Sequence, residues 1–448
     1  MKLFLLSILL STVLPAAEVN IAFEKYKLPN GLRVLLAPDP SVPVVTVYLV
    51  YGVGSRSEEK GRSGFAHLFE HMMFQGSANA PKGMHFQTVE ANGGNLNGST
   101  HPDYTDYYET LPSNKLAVAL WLEADRMRSL AITKENLDNQ KEAVKQERRL
   151  SVDNQPYAKA IVEDFPALAF RNWSNSHSSI GSFEDLNAAT VEDVSKFFAT
   201  HYAPNNAVLA IAGDIKPAEA KKLIAEYFGS IKAQPQPKPP DLTEPAQTEP
   251  RSQVFRDPLA RVPAIILSYP GPARRSPDYY SLAMLDIVLT GGESSRLYQA
   301  MVKGTQSVLG VEANLGWPYQ QAFDYKDPNV YAVNFTYNPA VDGKKVTAEF
   351  VAEIEKLKET LIDAKELERA RNTLRSVRVR SLQSSMSRAN LLALYELLDG
   401  KPELINTELA EFLKVTPEQI RAAARKYIVP SKLTAFDIVP APQKEEKK

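Results

Sequence analysis

A proline-rich stretch near the middle of the chain limits how this polypeptide of 448 residues can fold. Residues 232–251 hold six prolines and no aromatic residue. Proline fixes the backbone angle φ and lacks an N–H donor, so such a run forms an extended connection instead of a packed helix or strand. The chain is also too long for one compact domain to be the default. We therefore predict two domains joined at residues 232–251.

The two halves of the chain, before and after this linker, end in similar sequence patterns. Residues 190–215 and 416–441 each begin with Thr-x-Glu, continue with an amphipathic helical pattern, and reach a tyrosine, Tyr202 or Tyr427. A proline turn and an apolar strand follow in both segments, and a threonine before an acidic residue is typical of a helix start. The alternative is a coincidence between two ordinary helix–turn–strand units. We favour an internal duplication of roughly 200 residues.

Charge and the N-terminal pattern indicate the class of protein. The 52 basic and 53 acidic residues nearly cancel, which gives no electrostatic footprint for nucleic acid or anionic lipid. Residues 1–17 place Lys2 before an apolar run and end in Ala16 and Ala17, the layout of a secretory signal peptide. A buried N-terminal helix is the alternative. The chain has no cysteine for a lipoprotein anchor, so we expect a periplasmic or exported protein without a membrane span after signal cleavage.

Two of the six histidines stand four residues apart, in the run His67-Leu-Phe-Glu70-His71. Residues four apart share one face of a helix, so both imidazoles can reach one zinc ion. Glu70 lies at the edge of that face, where its carboxylate can take a proton from a metal-bound water without being a ligand. This short pattern alone is only moderately specific, because two histidines at this spacing also occur as ordinary surface or core residues.

A catalytic zinc site of this kind needs a third protein ligand and an open position. Cysteine is excluded, whereas carboxylates are many in this chain. Glu142 and Glu147 are two that are chemically suitable, although their five-residue spacing points them in different directions on a helix. Spacing alone does not choose among these carboxylates and the remaining histidines, which are His85, His101, His177 and His201.

The surroundings of the motif resemble the pitrilysin/insulinase family (M16) of zinc metallopeptidases, which includes the mitochondrial processing peptidases. The order His-x-x-Glu-His is the inverted signature of such enzymes. The likeness extends from about residue 23 to residue 440 and is strongest from 28 to 215. It is carried by the runs GFAHLFEHMMFQGS, ANGGNLNGSTHPDYTDYYETLP and NLDNQKEAVKQERRLSVDNQP.

This resemblance implies a role for individual residues. His67 and His71 would bind one zinc ion per chain. Glu147 would complete the protein ligands, and Glu70 would be the general base. Asn97, in the run NLNGST, would lie beside a substrate whose backbone an edge strand binds by β-addition.

One departure from the family pattern concerns the support of the metal ligands. Seven residues before the glutamate ligand, some family members carry another carboxylate, and this chain has Gln140 there. A neutral amide can hydrogen-bond a ligand but supplies no charge, which puts a supporting carboxylate in doubt.

The resemblance also implies an α+β fold of two homologous domains. Each is expected to hold an antiparallel sheet of about five or six strands with helices packed mainly on one face, as in the processing peptidases. The expected divisions are a signal peptide at 1–17, a peptidase domain at 18–231, the linker at 232–251, a non-catalytic domain at 252–440 and a charged tail at 441–448.

A second departure concerns the partner. In the family, two homologous halves face each other across a chamber, and the half opposite the zinc supplies an arginine and, seven residues later, a tyrosine. Here these positions fall on Val302 and Leu309, which donate no side-chain hydrogen bond, while Arg296 and Tyr298 lie nearby at the wrong spacing. We expect a short catalytic subunit that works with a homologous zinc-less subunit carrying the Arg/Tyr pair. A homodimer is the alternative assembly.

The expected activity is that of a zinc endopeptidase acting on peptides or unfolded segments. The alternative is a non-hydrolytic peptide-binding or scaffold protein that keeps the fold. A degenerate relative is expected to lose at least one functional residue, so the presence of the whole set favours the peptidase. That set is His67, Glu70, His71 and Glu147.

Overall fold

The computed structural model describes residues 20–316 and 325–442, so the predicted signal peptide at 1–17 lies outside the described residues. The strands of the described residues form two sheets. The strands are β1 Glu24–Lys27, β2 Arg33–Pro38, β3 Val44–Tyr51, β4 Asn95–Thr100, β5 Thr105–Pro112, β6 Ala207–Gly213, β7 Arg251–Asp257, β8 Ala264–Pro270, β9 Val308–Leu315, β10 Val330–Tyr337 and β11 Thr434–Pro440.

Helices account for most of the remaining regular structure. They are α1 Phe65–Met72, α2 Met84–Ala91, α3 Leu116–Ser129, α4 Lys134–Arg148, α5 Phe165–Ala169, α6 Trp173–Ser176, α7 Phe183–Ala188, α8 Val191–His201, α9 Pro217–Phe228, α10 Pro277–Thr290, α11 Gly343–Glu359, α12 Ala364–Ser381, α13 Ser385–Leu394, α14 Leu404–Leu413 and α15 Pro417–Tyr427. Among the described residues, none of these helices combines the length and the apolar composition needed to cross a membrane.

The two sheets repeat one topology. The first has the order β1-β2-β6-β3-β5-β4, and the second has the order β7-β11-β8-β10-β9, which matches the first from β2 onward. This repetition confirms the α+β fold of two homologous halves, with six strands in one half and five in the other. The sheets are mixed, however, and not wholly antiparallel as predicted. The last strand of each half returns after a long connection and lies parallel to β2 or β7, which a crossover permits and a hairpin does not.

The repeated sequence pattern corresponds to the last helix and strand of each half. The side chain of Thr190 accepts a hydrogen bond from the N–H of Asp193 at the start of α8, and Thr416 does the same for Gln419 at the start of α15. In each case the side chain three residues later accepts from the threonine N–H, which makes a capping box. A short turn that begins with Pro204 or Pro430 then leads into β6 or β11.

Each sheet is covered on one face by its own half and on the other by the opposite half. Strand β6 is buried along its whole length, as expected of a strand with both faces covered. Helix α13 of the second half packs on β3 and β6, with Leu392 fully buried there. In return, Phe165 of the first half packs against Phe436 in β11. Helices of the same half therefore cover one face of each sheet, as predicted, and residues of the opposite half cover the other face.

The chain between α9 and β7, residues 229–250, includes all six prolines of the predicted linker and holds no helix or strand in the described structure. Arg251, the last residue of that predicted linker, already belongs to β7. Hydrogen bonds nevertheless attach the connecting chain to both halves. The carboxylate of Glu244 accepts hydrogen bonds from the backbone of Arg171 and Asn172, and the side chain of Gln247 donates to the carbonyl of Leu433. The stretch therefore runs along both halves as an extended segment.

Candidate metal centre

The two histidines of the motif lie on α1, a short helix whose apolar side is buried in the first core. Phe65, Leu68 and Phe69 face that core, and they hold the helix against the sheet and its neighbours. His67 and His71 are left on the side that faces α4. Their ring centroids are 4.8 Å apart and the ring planes are nearly perpendicular.

Glu147 comes from the last turn of α4 and meets both rings. Its Oε1 is 3.5 Å from His67 Nε2, and its Oε2 is 3.1 Å from His71 Nε2. One ligand atom from each of the three side chains lies within 4.8 Å of the others. Two imidazole nitrogens and one carboxylate oxygen thus converge from two helices that are separate in sequence.

The packing of α4 also decides between the two carboxylates that spacing left open. The side chain of Glu142 is 68% exposed and pairs with Lys145 on the same helix. Glu147 instead points at the histidines. Gln140 is buried on this helix and hydrogen-bonds His71, which favours the protonated form of that histidine. Gln140 therefore touches a candidate ligand as a neutral hydrogen-bonding group.

Glu70 lies beside the three converging groups, and a residue of the first sheet fixes its carboxylate. Its Oε2 accepts a hydrogen bond of 2.6 Å from the hydroxyl of Thr100, the last residue of β4. Burial raises the pKa of Glu70, and the Thr100 hydrogen bond opposes that shift. Our sequence reasoning missed Thr100, because it is 30 residues from Glu70 and carries no local signal.

The charges at the centre depend strongly on one another. Burial and the neighbouring His71 lower the pKa of His67 to about 4, so His67 is neutral and can offer a nitrogen lone pair. Burial lowers the pKa of His71, but its hydrogen bond with Glu147 and the charges of Glu70 and Glu147 outweigh burial and raise that pKa overall. The hydrogen bond with His71 lowers the pKa of Glu147, which is therefore ionised.

The other four histidines lie outside this group. Their partners are Glu109 for His85, Ser99 for His101, Glu58 for His177 and the ring of Phe197 for His201. None of the four belongs to the group formed by the two motif histidines and Glu147.

Strand β4 forms the outer edge of the first sheet next to α1. It pairs only with β5 in the described structure, so one side of its backbone has N–H and C=O groups free of sheet partners. Asn97 lies in the middle of this strand, opposite Tyr108, with its side chain exposed. Its Oδ1 accepts a hydrogen bond from the N–H of Gly98.

Strand β9 is the corresponding edge of the second sheet. Leu309 lies on this strand and is 56% exposed. Val302 precedes the strand and is partly buried against the second core. Arg296, the nearby arginine, is paired with Glu366 through two hydrogen bonds of 2.7 and 2.8 Å. The edge strand of the second half thus presents an apolar side chain.

The sequence agrees with known peptidases over most of its length. The family described as Insulinase (Peptidase family M16) matches residues 33–181, and the domain described as Peptidase M16 inactive domain matches residues 188–374. This chain belongs to the M16 peptidase family. The converging histidines and glutamate all lie within the first match, and Val302 and Leu309 lie within the second.

Several M16 relatives carry the name zinc protease. Zinc protease PqqE of Helicobacter pylori is 28% identical over 408 residues, which cover 89% of this chain and 90% of that protein. The uncharacterized zinc protease YmxG of Bacillus subtilis is 25% identical over 405 residues, which cover 90% of this chain and 95% of that one.

Solved structures show the same M16 fold. A protease from Helicobacter pylori superposes with a TM-score of 0.87 at 27% identity, covering 94% of this chain and all of that chain. The periplasmic protease PqqL from Escherichia coli has a TM-score of 0.76 at 19% identity and shares the fold alone. The match covers 94% of this chain but 48% of PqqL, so this chain has the size of one half of that longer protein.

Proposed function

We propose that this M16 chain is a zinc-dependent endopeptidase that hydrolyses peptides or unfolded segments. His67, His71 and Glu147 would hold one zinc ion per chain, and Glu70 would act as general base. The observation that carries the proposal is the convergence of two imidazole nitrogens and a carboxylate beside a second, buried carboxyl group. Two histidines and one glutamate form a donor set that catalytic zinc accepts, with room for a further ligand.

The roles of the protein groups follow from this arrangement. A zinc ion, when bound, supplies Lewis acidity that polarises a peptide carbonyl and makes water easier to deprotonate. Glu70 takes a proton from the attacking water and delivers it to the nitrogen of the leaving amine as the peptide C–N bond breaks. The Thr100 hydroxyl keeps the Glu70 carboxylate in place for both transfers.

The free edge of β4 is the proposed substrate site. An extended peptide can add to β4 as a further strand, because its backbone hydrogen bonds require no particular sequence. Asn97 lies exposed on this strand and would contact such a peptide. Since β4 ends at Thr100, which touches Glu70, a peptide bound along the strand would pass the catalytic base.

Substitution of single carboxyl groups tests the mechanism. Glu70→Gln should keep one zinc per chain and lose peptide cleavage, because it removes the base and leaves the ligands. Glu147→Gln should weaken zinc binding, whereas its matched control Glu142→Gln should change neither zinc content nor cleavage, because Glu142 faces solvent. Metal analysis and cleavage of an unstructured peptide give the two readouts. A wild-type chain that binds no zinc would refute the endopeptidase proposal and favour the peptide-binding or scaffold alternative.

We also propose that a homologous zinc-less subunit completes the active assembly. This part rests on the apolar side chains of Val302 and Leu309 at the Arg/Tyr positions and on the match of the fold to half of a longer chain. Gel filtration and cleavage assays of the chain alone, and with a candidate partner, test it. Full cleavage activity in an isolated monomer would refute the need for a partner, and a homodimer active alone would support the alternative assembly.

The proposed location is the periplasm or the outside of the cell. The layout of residues 1–17 supports export, and PqqL, which shares the fold, is described as periplasmic. Cell fractionation with sequencing of the mature N-terminus tests this proposal. Retention of the full-length chain in the cytoplasm would refute it.

A further inference from the structure

The first turn of the motif helix is held by a carboxylate from outside the helix. The residue before α1 is Gly64, which has no side chain to cap the helix, and the first N–H groups of a helix need acceptors. Glu58 supplies two such acceptors: its Oε2 accepts from the N–H of Gly64 at 2.9 Å and its Oε1 accepts from the N–H of Ala66 at 2.7 Å. The Glu58 side chain has no exposed surface. One buried carboxylate therefore fixes the start of the helix that carries both motif histidines.

His177 holds this carboxylate from the other side. Its Nε2 is 2.9 Å from Glu58 Oε2, and its Nδ1 is 2.8 Å from the carbonyl oxygen of Trp173. The Trp173 carbonyl oxygen only accepts, so Nδ1 carries a proton. Burial raises the pKa of Glu58, but its hydrogen bonds with His177, Ala66 and Gly64 favour the ionised carboxylate, and Glu58 in turn raises the pKa of His177. On these contacts we assign a negative charge to Glu58 and a positive charge to His177. The imidazole also stacks on the Trp173 ring at 3.8 Å. Glu58 and His177 thus form a buried ion pair in a fixed orientation.

The residues that follow His177 contact the same end of α1. Ser63 donates its backbone N–H and its hydroxyl to the carboxylate of Asp185, at 2.9 and 2.5 Å. Gly181 packs directly on Gly64 with a φ of 76°, which favours glycine. A Cβ atom at Gly181 would lie 2.4 Å from the carbonyl oxygen of Ser63, so no larger residue fits without movement.

The same segment also reaches the helix of the third candidate ligand. Arg148, the residue after Glu147, donates from Nη1 to the carbonyl oxygen of Gly181 at 2.7 Å. Arg148 is largely buried, and its guanidinium also lies over the ring of Phe183 at 5.2 Å. Residues 177–185 therefore contact the start of α1 on one side and the end of α4 on the other.

We propose that residues 177–185 form a brace that sets the spacing of α1 and α4, and that Glu58 and His177 are positioning residues of the metal centre. Neither Glu58 nor His177 belongs to the group formed by His67, His71 and Glu147. Because the histidines and Glu147 stand on different helices, the affinity of the site depends on the fixed distance between those helices. This inference rests on the zinc site of the proposed function.

The test compares two neighbouring carboxylates in the full chain. Glu58→Gln removes an acceptor and the partner charge of His177, whereas Glu59→Gln changes an exposed side chain and serves as the matched control. Zinc affinity is measured by competition with a chelator, using the metal alone, and folding is followed by the thermal midpoint. Loss of groups that support metal ligands typically costs 10–100-fold in metal affinity. We expect a loss of about that size for Glu58→Gln and no change for Glu59→Gln.

The outcomes separate the brace from the proposed function. A folded Glu58→Gln variant with a lower thermal midpoint but wild-type zinc affinity would show a merely structural role and overturn the brace. If Glu58→Gln does not fold, His177→Gln is tested instead, because the amide of glutamine can still donate to Glu58 but carries no charge. Unchanged zinc affinity in a folded His177→Gln variant would also overturn the inference. A wild-type chain that binds no zinc would overturn the proposed function and, with it, the brace.

Discussion

Two buried carboxyl groups of the first half allow a prediction about stability. Glu109 on β5 and Glu123 on α3 are both fully buried. The guanidinium of Arg126 donates from Nε to Glu123 Oε2 at 3.0 Å and from Nη2 to Glu123 Oε1, and it lies 3.8 Å from Glu109. His85 Nε2 is 2.8 Å from Glu109 Oε1. The group thus contains two acids and one permanent cation.

The charge balance requires a proton on this pair of acids. Burial lowers the pKa of His85 to about 3, so His85 is neutral and does not compensate a second carboxylate. Burial also raises the pKa of both Glu109 and Glu123. Burial and the hydrogen bond with Glu109 raise the pKa of Glu123 to about 8, and the same hydrogen bond acts to lower the pKa of Glu109. The paired contact with Arg126 acts the other way, because it stabilises an ionised Glu123, and no donor reaches Glu109 Oε2. On this geometry we assign the proton to Glu109.

Two amide substitutions should therefore differ in cost. Glu109→Gln keeps a donor toward Glu123 and an acceptor for His85, so we expect a change in unfolding free energy of about 1 kcal/mol or less at pH 5. Glu123→Gln breaks the paired contact with Arg126, and removal of one partner of a buried ion pair costs about 3–5 kcal/mol. We expect the lower end, about 3 kcal/mol, because Glu109 can ionise in its place.

The pH dependence provides a second, independent sign of the shared proton. Because the folded-state pKa is raised, the folded chain keeps a proton that the unfolded chain releases above the ordinary carboxyl value of 4.5. This stabilisation is complete below that value and is lost as the pH rises, by about 1.4 kcal/mol per pH unit. Glu109→Gln cannot lose this proton. As the pH rises, the free energy of unfolding of the variant should therefore increase relative to that of the wild type, at the same slope, until the pH passes the folded-state pKa of the pair.

Urea unfolding at pH 5, 6 and 7 measures both effects, with the slope of the transition used to convert midpoints into free energies. Glu142→Gln, an exposed carboxylate of the same half, is the control for a general charge effect. A free-energy difference between Glu109→Gln and wild type that stays constant with pH would refute the shared proton. Equal destabilisation by Glu109→Gln and Glu123→Gln would refute its assignment to Glu109.

Three further substitutions test the site and the packing of the halves. Thr100→Val should lower kcat/KM by roughly tenfold or more with zinc content unchanged, because a hydrogen bond to a charged group contributes about 1.5–3 kcal/mol; unaltered kinetics would show that Glu70 needs no such support. Asn97→Ala should raise KM for peptides while zinc content stays the same, and an unchanged KM would place the substrate elsewhere. Phe436→Ala should lower the free energy of unfolding by about 3–5 kcal/mol in denaturant titrations, because this ring packs against Phe165 of the other half; a cost below 1 kcal/mol would mean that the contact between the halves is weak.

Features that depend on neighbours in the chain were predictable from the sequence. The spacing of His67 and His71 places both imidazoles on one side of α1, because the backbone of a helix repeats every 3.6 residues. The helix starts at Thr190 and Thr416 were equally visible, since a capping side chain bonds an N–H group only three residues away. The family resemblance then supplied the fold class and the strand count.

The tertiary structure decided what these local elements meet. Glu142 and Glu147 are equivalent by chemistry, and only the packing of α4 against α1 turns one to the histidines and the other to solvent. Thr100 and the Glu58–His177 pair carry no local signal, because their partners are 30 and 119 residues away. Such contacts are set by how whole helices and sheets fill a common core, and no short-range periodicity encodes that packing.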